Sequence, residues 1–483
     1  MDFKDIEWGE DEAKGDIRLH EYFVELPVMN DILSGKIRYV IGRKGTGKTA
    51  IGEKIRIDVS NNPQWFESSL SLKDFPLNTF RQLEVKQFKD KTKYVPAWTF
   101  LIAVELSKLL LNDNSMTDIE KKELYNFIHN NFPESAIGFT ETIIQLEKTH
   151  LKVTPYGIGG EKEHSIEYNQ PIHYQKATNN ILNIIKNLKT ECTFFLIFDE
   201  LDEGYKAKDK SMNLILLALL RAIENVFIEL KNSNIKFRPL LLLRSDIFDT
   251  LEDNDLNKLD DYIFKLNWST TSGSSYTILD IINTRIKAST NQNLQWEDIA
   301  DDYEEKRPRY VSSLLNYMLA RTFERPRDII KYLKYCKKAA PSGKLTFTTV
   351  EKAEFDYSNW FFKELRDEIH SHLPCWREAF MDINKIGKGK FSIKQYTEQL
   401  KKDKEIKTCD GISYEKIIET FFMFSALGNI NKETGKWIFR YKDDDLPFNN
   451  NLDLVVHFGF QKKLRISPNY IDNTFGETLS DYW

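Results

Sequence analysis

The chain has 483 residues, 41% of them hydrophobic and 13% aromatic. That is apolar material for cores in about three domains at roughly 150 residues each, and it excludes disorder as the main state. Sixty-eight Lys and Arg against 73 Asp and Glu leave a net charge of −5, so no global positive field draws the chain to nucleic acid or to an anionic membrane, and any such contact has to be local.

In chain order, residues 1–35 open with the acidic stretch MDFKDIEWGEDEAKGD. It lacks the basic and apolar regions of a signal peptide and is expected to pack as a segment on the following domain. The four cysteines, Cys192, Cys336, Cys375 and Cys409, are scattered without a C-x-x-C pair. They support neither a disulfide framework nor a cysteine-rich zinc site, which fits the cytoplasm.

Residues 36–270 carry short apolar runs at Ile37 to Ile41, Trp65 to Leu72, Phe194 to Phe198, Arg238 to Leu243 and Tyr262 to Trp268. Helical stretches separate them, as in a parallel sheet with crossover helices. An inserted stretch at about 74–190 reads as helical: Ala97 to Leu111 is apolar at helical spacing, and Thr117-x-x-Glu120 opens the next helix as a capping box. Lys152 to His164 reads as a loop or hairpin. The run Leu214 to Leu220 is far shorter than the ~20 residues of a membrane span, so it reads as a buried core helix and no membrane association is expected. Residues 271–345 read as a helical lid in which Arg325-Pro326-Arg327-Asp328 starts a new helix. In residues 346–483, helices at Trp376 to Ile386, Ser392 to Lys402 and Tyr414 to Leu427 lead into strand-like runs at Trp437 to Tyr441 and Leu452 to Phe460. Helices followed by a β-hairpin suggest a winged helix.

The chemistry concentrates in two places. Gly42-Arg43-Lys44-Gly45-Thr46-Gly47-Lys48-Thr49-Ala50 matches G-x-x-x-x-G-K-[ST] directly after an apolar strand and before a helix. Glycines let backbone N–H groups wrap phosphates, the helix N-terminus adds its dipole, Lys48 reaches the β- and γ-phosphates, and Thr49 ligates Mg²⁺. The second place is the buried strand from Thr193, which ends in Asp199-Glu200-Leu201-Asp202-Glu203. A carboxylate at such a strand end completes the metal site, and Asp199 is placed there, through water. For the acid that activates water, Glu200 and Asp202 stand level and Glu203 third. Arg244, at the tip of the strand Pro239 to Leu243, either senses the γ-phosphate or pairs with Asp246 or Asp249. Pro326 either packs on the base while Arg325 or Arg327 reaches the phosphates, or it is an ordinary helix start.

Taken in order, these pieces resemble the STAND branch of AAA+-like P-loop NTPases, and more closely a family of prokaryotic P-loop ATPases associated with bacterial defence islands. The stretches that carry the resemblance are Tyr39 to Ala50, Asp199-x-Leu-Asp202-Glu203, Leu242 to Phe248, Arg325 to Asp328 and Val456 to Phe460. The resemblance implies an additional-strand α/β fold with a helical insertion, a helical lid and a C-terminal winged helix. It implies Walker A and Walker B roles for the two motifs, ATP rather than GTP, and contacts to the nucleotide from Arg244 and Pro326. Such a protein is a regulatory ATPase that controls its own oligomerisation or an effector or sensor partner, in antiphage defence. Glu200 departs from the Gly or Asp common at that position, and the chain lacks the usual sensor repeats.

The alternative function is a DNA-binding motor or loader. Lys385 to Lys407 holds eight lysines against three acids; such a patch contacts phosphates or is simply a solvated face. A nucleotide-binding scaffold without turnover is a third reading. Arg244, Arg307, Arg309, Arg325 and Arg327 are all eligible as an arginine finger. His370 and His372, two apart on a helix, do not share a face and make no metal pair; His457 reads as a core histidine.

Overall fold

Helix periodicity and β-rich runs set out above are realised in a computed structural model, which describes residues 2–71, 77–83, 89–132, 142–143, 151–153, 166–168, 172–202, 205, 209–268, 275–302, 313–407, 411–431 and 433–466. Two compact units result: one comprises 27–43 and 51–266, the other 1–26, 44–50 and 267–483.

The first unit is built on a five-stranded parallel sheet. Its strands are β1 (Tyr39–Gly42), β2 (Trp65–Ser71), β5 (Thr193–Asp199), β6 (Lys236–Arg244) and β7 (Ile263–Lys265), in the order β2-β5-β6-β1-β7. Between β2 and β5 the chain forms a small antiparallel pair, β3 (Leu151–Val153) with β4 (Ile166–Tyr168). The loop read at Lys152 to His164 thus begins in β3, and residues 154–165 lie outside the described residues. The central strands are continuous apolar runs because helices cover both faces of a parallel sheet. Phe194 to Phe198 and Leu240 to Leu243 are all buried.

After β1 comes helix α1 (Lys48–Ser60). The insertion contributes α2 (Val95–Leu111), α3 (Asp118–Asn131) and α4 (Ile172–Asn187). Thr117 and Glu120 close the expected capping box at the start of α3. Helix α2 is apolar nearly all round because it is buried nearly all round, and Trp98 in it donates its Nε1–H to the Ile215 carbonyl of α5 (Lys210–Leu230) at 3.0 Å. Helix α5 is long and apolar enough to cross a membrane by length and composition. Its residues Ile215 to Leu220 are instead buried in the core of this unit, as read from the sequence.

The second unit contains α6 (Ile278–Thr290), α7 (Pro326–Ala339) and α8 (Phe347–Ile369), followed by α9 (Trp376–Ile386), α10 (Ile393–Leu400), α11 (Tyr414–Met423) and α12 (Phe458–Leu464). Pro326 occupies the first turn of α7, where its missing N–H costs nothing. Tyr332 of α7 stacks on Tyr357 of α8 with ring centroids 4.1 Å apart. Interleaved with the later helices is an antiparallel sheet of β8 (Lys390–Phe391), β9 (Leu427–Ile430), β10 (Trp437–Ile438) and β11 (Asp453–Val456), in the order β10-β9-β11-β8.

This sheet corrects the expected hairpin. The two strand-like runs do not pair with each other; both pair with β9, whose Leu-Gly-Asn-Ile sequence has little β propensity and begins at Leu427, the end of the helical run read at Tyr414 to Leu427. Phe458 to Phe460 turn into α12, with the His457 imidazole accepting the Gly459 N–H at 3.2 Å as the helix cap. His457 is buried beside Phe323, Phe439 and Tyr441, a core histidine. Cys375 is held in a disulfide, which its spacing does not announce, and Cys192 and Cys336 are buried free thiols.

Candidate functional site

The loop between β1 and α1 has the backbone its glycines were expected to provide. Gly45 (φ +80°) and Gly47 (φ +98°) lie in the left-handed region that L side chains avoid. At Gly45 a Cβ would also come within 3.1 Å of the Arg327 Cβ. Further bonds hold the loop: Trp268 donates its Nε1–H to the Thr46 carbonyl at 2.8 Å, Arg325 donates to the Lys44 carbonyl at 2.9 Å, and the Lys44 ammonium lies 3.6 Å from both Glu364 and Asp367. Gly45, Gly47, Lys48, Thr49 and Ala50 line a cavity of about 120 Å³ together with Pro326 and Arg327. The proline and the arginine singled out in the sequence therefore face the loop rather than merely starting a helix.

Arg325 has a different place from Arg327. It is 1% exposed, bonds both oxygens of Asp328 at 2.9 Å and reaches Glu368 at 2.6 Å. Burial pulls its pKa down, but the two carboxylates outweigh that and hold the guanidinium above its ordinary value. It is a buried brace under the loop. Arg327, less buried, lies 3.5 Å from Glu364 and lines the cavity.

In the sheet unit, the chemistry gathers at the carboxyl ends of adjacent strands, where open α/β sheets bind ligands. Gly42, the first residue of the loop, is in register with Arg244 of β6. On the other side of β6 stands β5, which ends in Asp199. One strand thus separates the strand feeding the loop from the strand bearing the acid, a spacing of about 10 Å.

Within this acidic end the side chains differ in what they touch. Asp199 accepts the Glu200 N–H at 2.8 Å. Glu200 has φ +56°, a strained conformation for a residue with a side chain, of the kind that persists where the surroundings enforce it. The Ser71 hydroxyl at the end of β2, in register with Asp199, donates to the Glu200 carboxylate. Asp202 accepts from Arg244 at 2.9 Å, and Arg244 makes two further bonds to Asp246 at 2.9 and 2.7 Å. Of the two readings of Arg244, the ion pair is present, with Asp202 as an added partner.

A family model described as the FunZ-associated C-terminal helical domain matches residues 276–366. No curated protein matches the chain. Among solved structures, the chain is similar to Cdc6p from Pyrobaculum aerophilum at 13% identity and a TM-score of 0.30, over 90% of this chain and 91% of that one.

Other residues of this region carry no motif and were not legible in the sequence. Glu10, Asp11, Asp16 and Arg285 line the loop cavity. Asp11 pairs with Lys331 and Lys334 of α7, Asp16 accepts from the Tyr22 hydroxyl, and Arg285 donates to the Trp8 carbonyl at 3.1 Å. The acidic opening of the chain is thus one wall of the cavity. Ser71 carries no motif either. Glu203, Arg307 and Arg309 lie outside the described residues. A larger cavity of about 550 Å³, lined by Arg38, Glu224, Phe227 and Tyr262, lies at the opposite, amino ends of β1 and β7 and holds none of the motif residues.

Proposed function

We propose that this chain is a Mg-ATP-binding and hydrolysing P-loop ATPase of the AAA+/STAND-like kind, with the Gly42–Thr49 loop as its Walker A and Asp199–Glu200 as its Walker B. The observation that carries the reading is the sheet edge: β6 stands between β1 and β5, and Ser71 of β2 holds Glu200 in a left-handed backbone at the end of the acid strand. The amides at the start of α1 bind phosphate oxygens and Lys48 neutralises their charge. Glu200, positioned by Ser71, takes the proton of the attacking water. Asp202, tied to Arg244, is the second candidate and acts with it in orienting the γ-phosphate end.

Thr49 and Asp199 offer a hydroxyl and a carboxylate, hard oxygen donors that would suit Mg²⁺. When bound, the ion would neutralise phosphate charge. Pro326 and Arg327, which line the same cavity as the loop, contact the bound nucleotide.

The biological role follows from the motif resemblance: nucleotide state controls self-association or an effector or sensor partner, in antiphage defence in the cytoplasm, and the 346–483 region acts as a winged helix. The test is nucleotide binding by the purified chain. Wild type is expected to retain Mg-ATP and Lys48→Ala to lose it, whereas equal binding by the two would remove the loop from the site.

A second reading, a DNA-binding ATPase, is favoured by one observation. Lys388, Lys394, Lys401, Lys402 and Lys404 are exposed and take no ion-pair partner among the described residues, although Lys385 is tied to Asp382 and Asp403 and Lys390 lies over the Trp437 ring. Phosphates would meet five unpaired ammonium groups there.

A further inference from the structure

Four arginines are buried among the described residues, and three of them hold carboxylates: Arg38 bonds Glu224, Arg321 bonds Glu354, and Arg325 bonds Asp328 and Glu368. The fourth, Arg285 on α6, is 7% exposed and makes no ion pair among the described residues. Its Nε donates to the Trp8 carbonyl at 3.1 Å, its Nη1 to the Ile281 carbonyl at 3.4 Å, and its guanidinium lies 4.4 Å from the Tyr22 ring centroid. Asp16 is near enough to influence it, but that carboxylate is engaged by the Tyr22 hydroxyl and by the amides of Glu10 and Arg18. A guanidinium has five N–H donors. Two neutral carbonyls take only part of these donors, and the one nearby charge, that of Asp16, is shared with Tyr22 and two backbone amides.

Arg285 lines the cavity bounded by Gly45, Gly47, Lys48 and Thr49. We propose that Arg285 is a phosphate-contacting residue of the nucleotide site, its remaining donors aimed at an oxygen of the nucleotide's phosphate chain. The anion supplies the partner that the other three buried arginines already have. Burial lowers the Arg285 pKa to about 10, which still leaves it protonated at neutral pH. The Trp8 and Ile281 carbonyls and the Tyr22 ring hold the side chain in place before ligand arrives, so little ordering is needed on binding. This inference rests on the reading of the Gly42–Thr49 loop as an ATP site, and it adds a cation that no motif marks.

The experiment is calorimetric titration of the full chain with Mg-ATP and with inorganic tripolyphosphate, for wild type, Lys48→Ala, Arg285→Lys and Arg285→Met. Arg285→Met is expected to weaken both ligands by about 10–100-fold, the scale of a lost charge-assisted hydrogen bond, and Arg285→Lys to recover part of the loss. Unchanged affinity for both ligands overturns the inference. So does a loss confined to ATP, since that places the arginine on the base or ribose. If Arg285→Met fails to fold, Arg285→Gln keeps a donor for the Trp8 carbonyl without the charge and is held to the same outcomes. Binding of ATP by wild type that Lys48→Ala abolishes and the Arg285 variants leave alone removes this inference only. Failure of wild type to bind ATP removes the nucleotide reading and this inference with it.

Discussion

Replacing Arg325 by methionine tests whether the loop is braced from beneath. The side chain is fully buried and makes four hydrogen bonds: two to Asp328, one to Glu368 and one to the Lys44 carbonyl. Arg325→Met leaves two carboxylates, 0% and 4% exposed, without their cation. Removing one partner of a buried pair costs about 3–5 kcal/mol. At about 2–4 °C per kcal/mol for a unit of this size, the transition of the second unit should fall by roughly 6–20 °C.

The deficit should depend on pH, with a sign fixed by the burial of the acids. Burial already raises the Asp328 pKa, and the cation opposes that rise. Without the cation the folded-state pKa lies further above the unfolded value, so stability is retained at acid pH and lost as pH rises through the folded value. The variant should therefore approach wild type toward pH 4 and fall furthest below it near pH 8. The assay is thermal and urea unfolding of both proteins between pH 4 and 8, with Asp328→Asn added to the methionine variant as a partial rescue. A transition within about 2 °C of wild type at pH 8, or no rescue by Asp328→Asn, would refute the reasoning.

Three further outcomes follow. Ser71→Ala should lower ATP turnover by about 10–100-fold with nucleotide affinity nearly unchanged, because it removes a hydrogen bond to a charged group that positions Glu200; steady-state kinetics reads this as a fall in kcat at constant KM. Gly45→Ala should cost about 1–2 kcal/mol in the left-handed region and press on Arg327, seen as weaker ATP binding in titration; an alanine variant binding as wild type would show that the loop relaxes without penalty. If the exposed lysines bind duplex DNA, the slope of log K against log salt should be about −4.5 for five contacts, and changing Lys401, Lys402 and Lys404 to Gln should reduce it by close to three units' worth of contact; fluorescence anisotropy across salt concentrations decides it, and binding that ignores the three changes places DNA elsewhere.

What the sequence disclosed and what it hid divide along physical lines. The core strands were readable because a doubly covered parallel strand is an unbroken apolar run, and Thr193–Asp199 and Lys236–Arg244 appear where such runs stand. The Gly42–Thr49 motif was readable because it sets glycine and lysine at fixed intervals between a strand and a helix, and Gly45 and Gly47 take positive φ there. Strand β9 was hidden because backbone pairing, at two positions with β10 and four with β11, and not side-chain propensity makes Leu427–Ile430 a strand. Ser71, Asp16 and Arg285 were hidden for another reason. Their meaning lies in what folding brings beside them, a carboxylate 129 residues away for Ser71 and a loop cavity for the others. Asp202 and Glu200 looked alike in sequence and are separated only by their partners, Arg244 for one and a serine for the other.

Steady-state ATP hydrolysis by wild type, Glu200→Gln and Lys48→Ala, over a range of protein concentrations, tests the central claim most directly. Wild type should show measurable turnover, rising with concentration if an arginine is supplied by a second copy. Lys48→Ala should show none, and Glu200→Gln a rate at least about 100-fold lower with ATP still bound. Turnover of Glu200→Gln at the wild-type rate would contradict the claim.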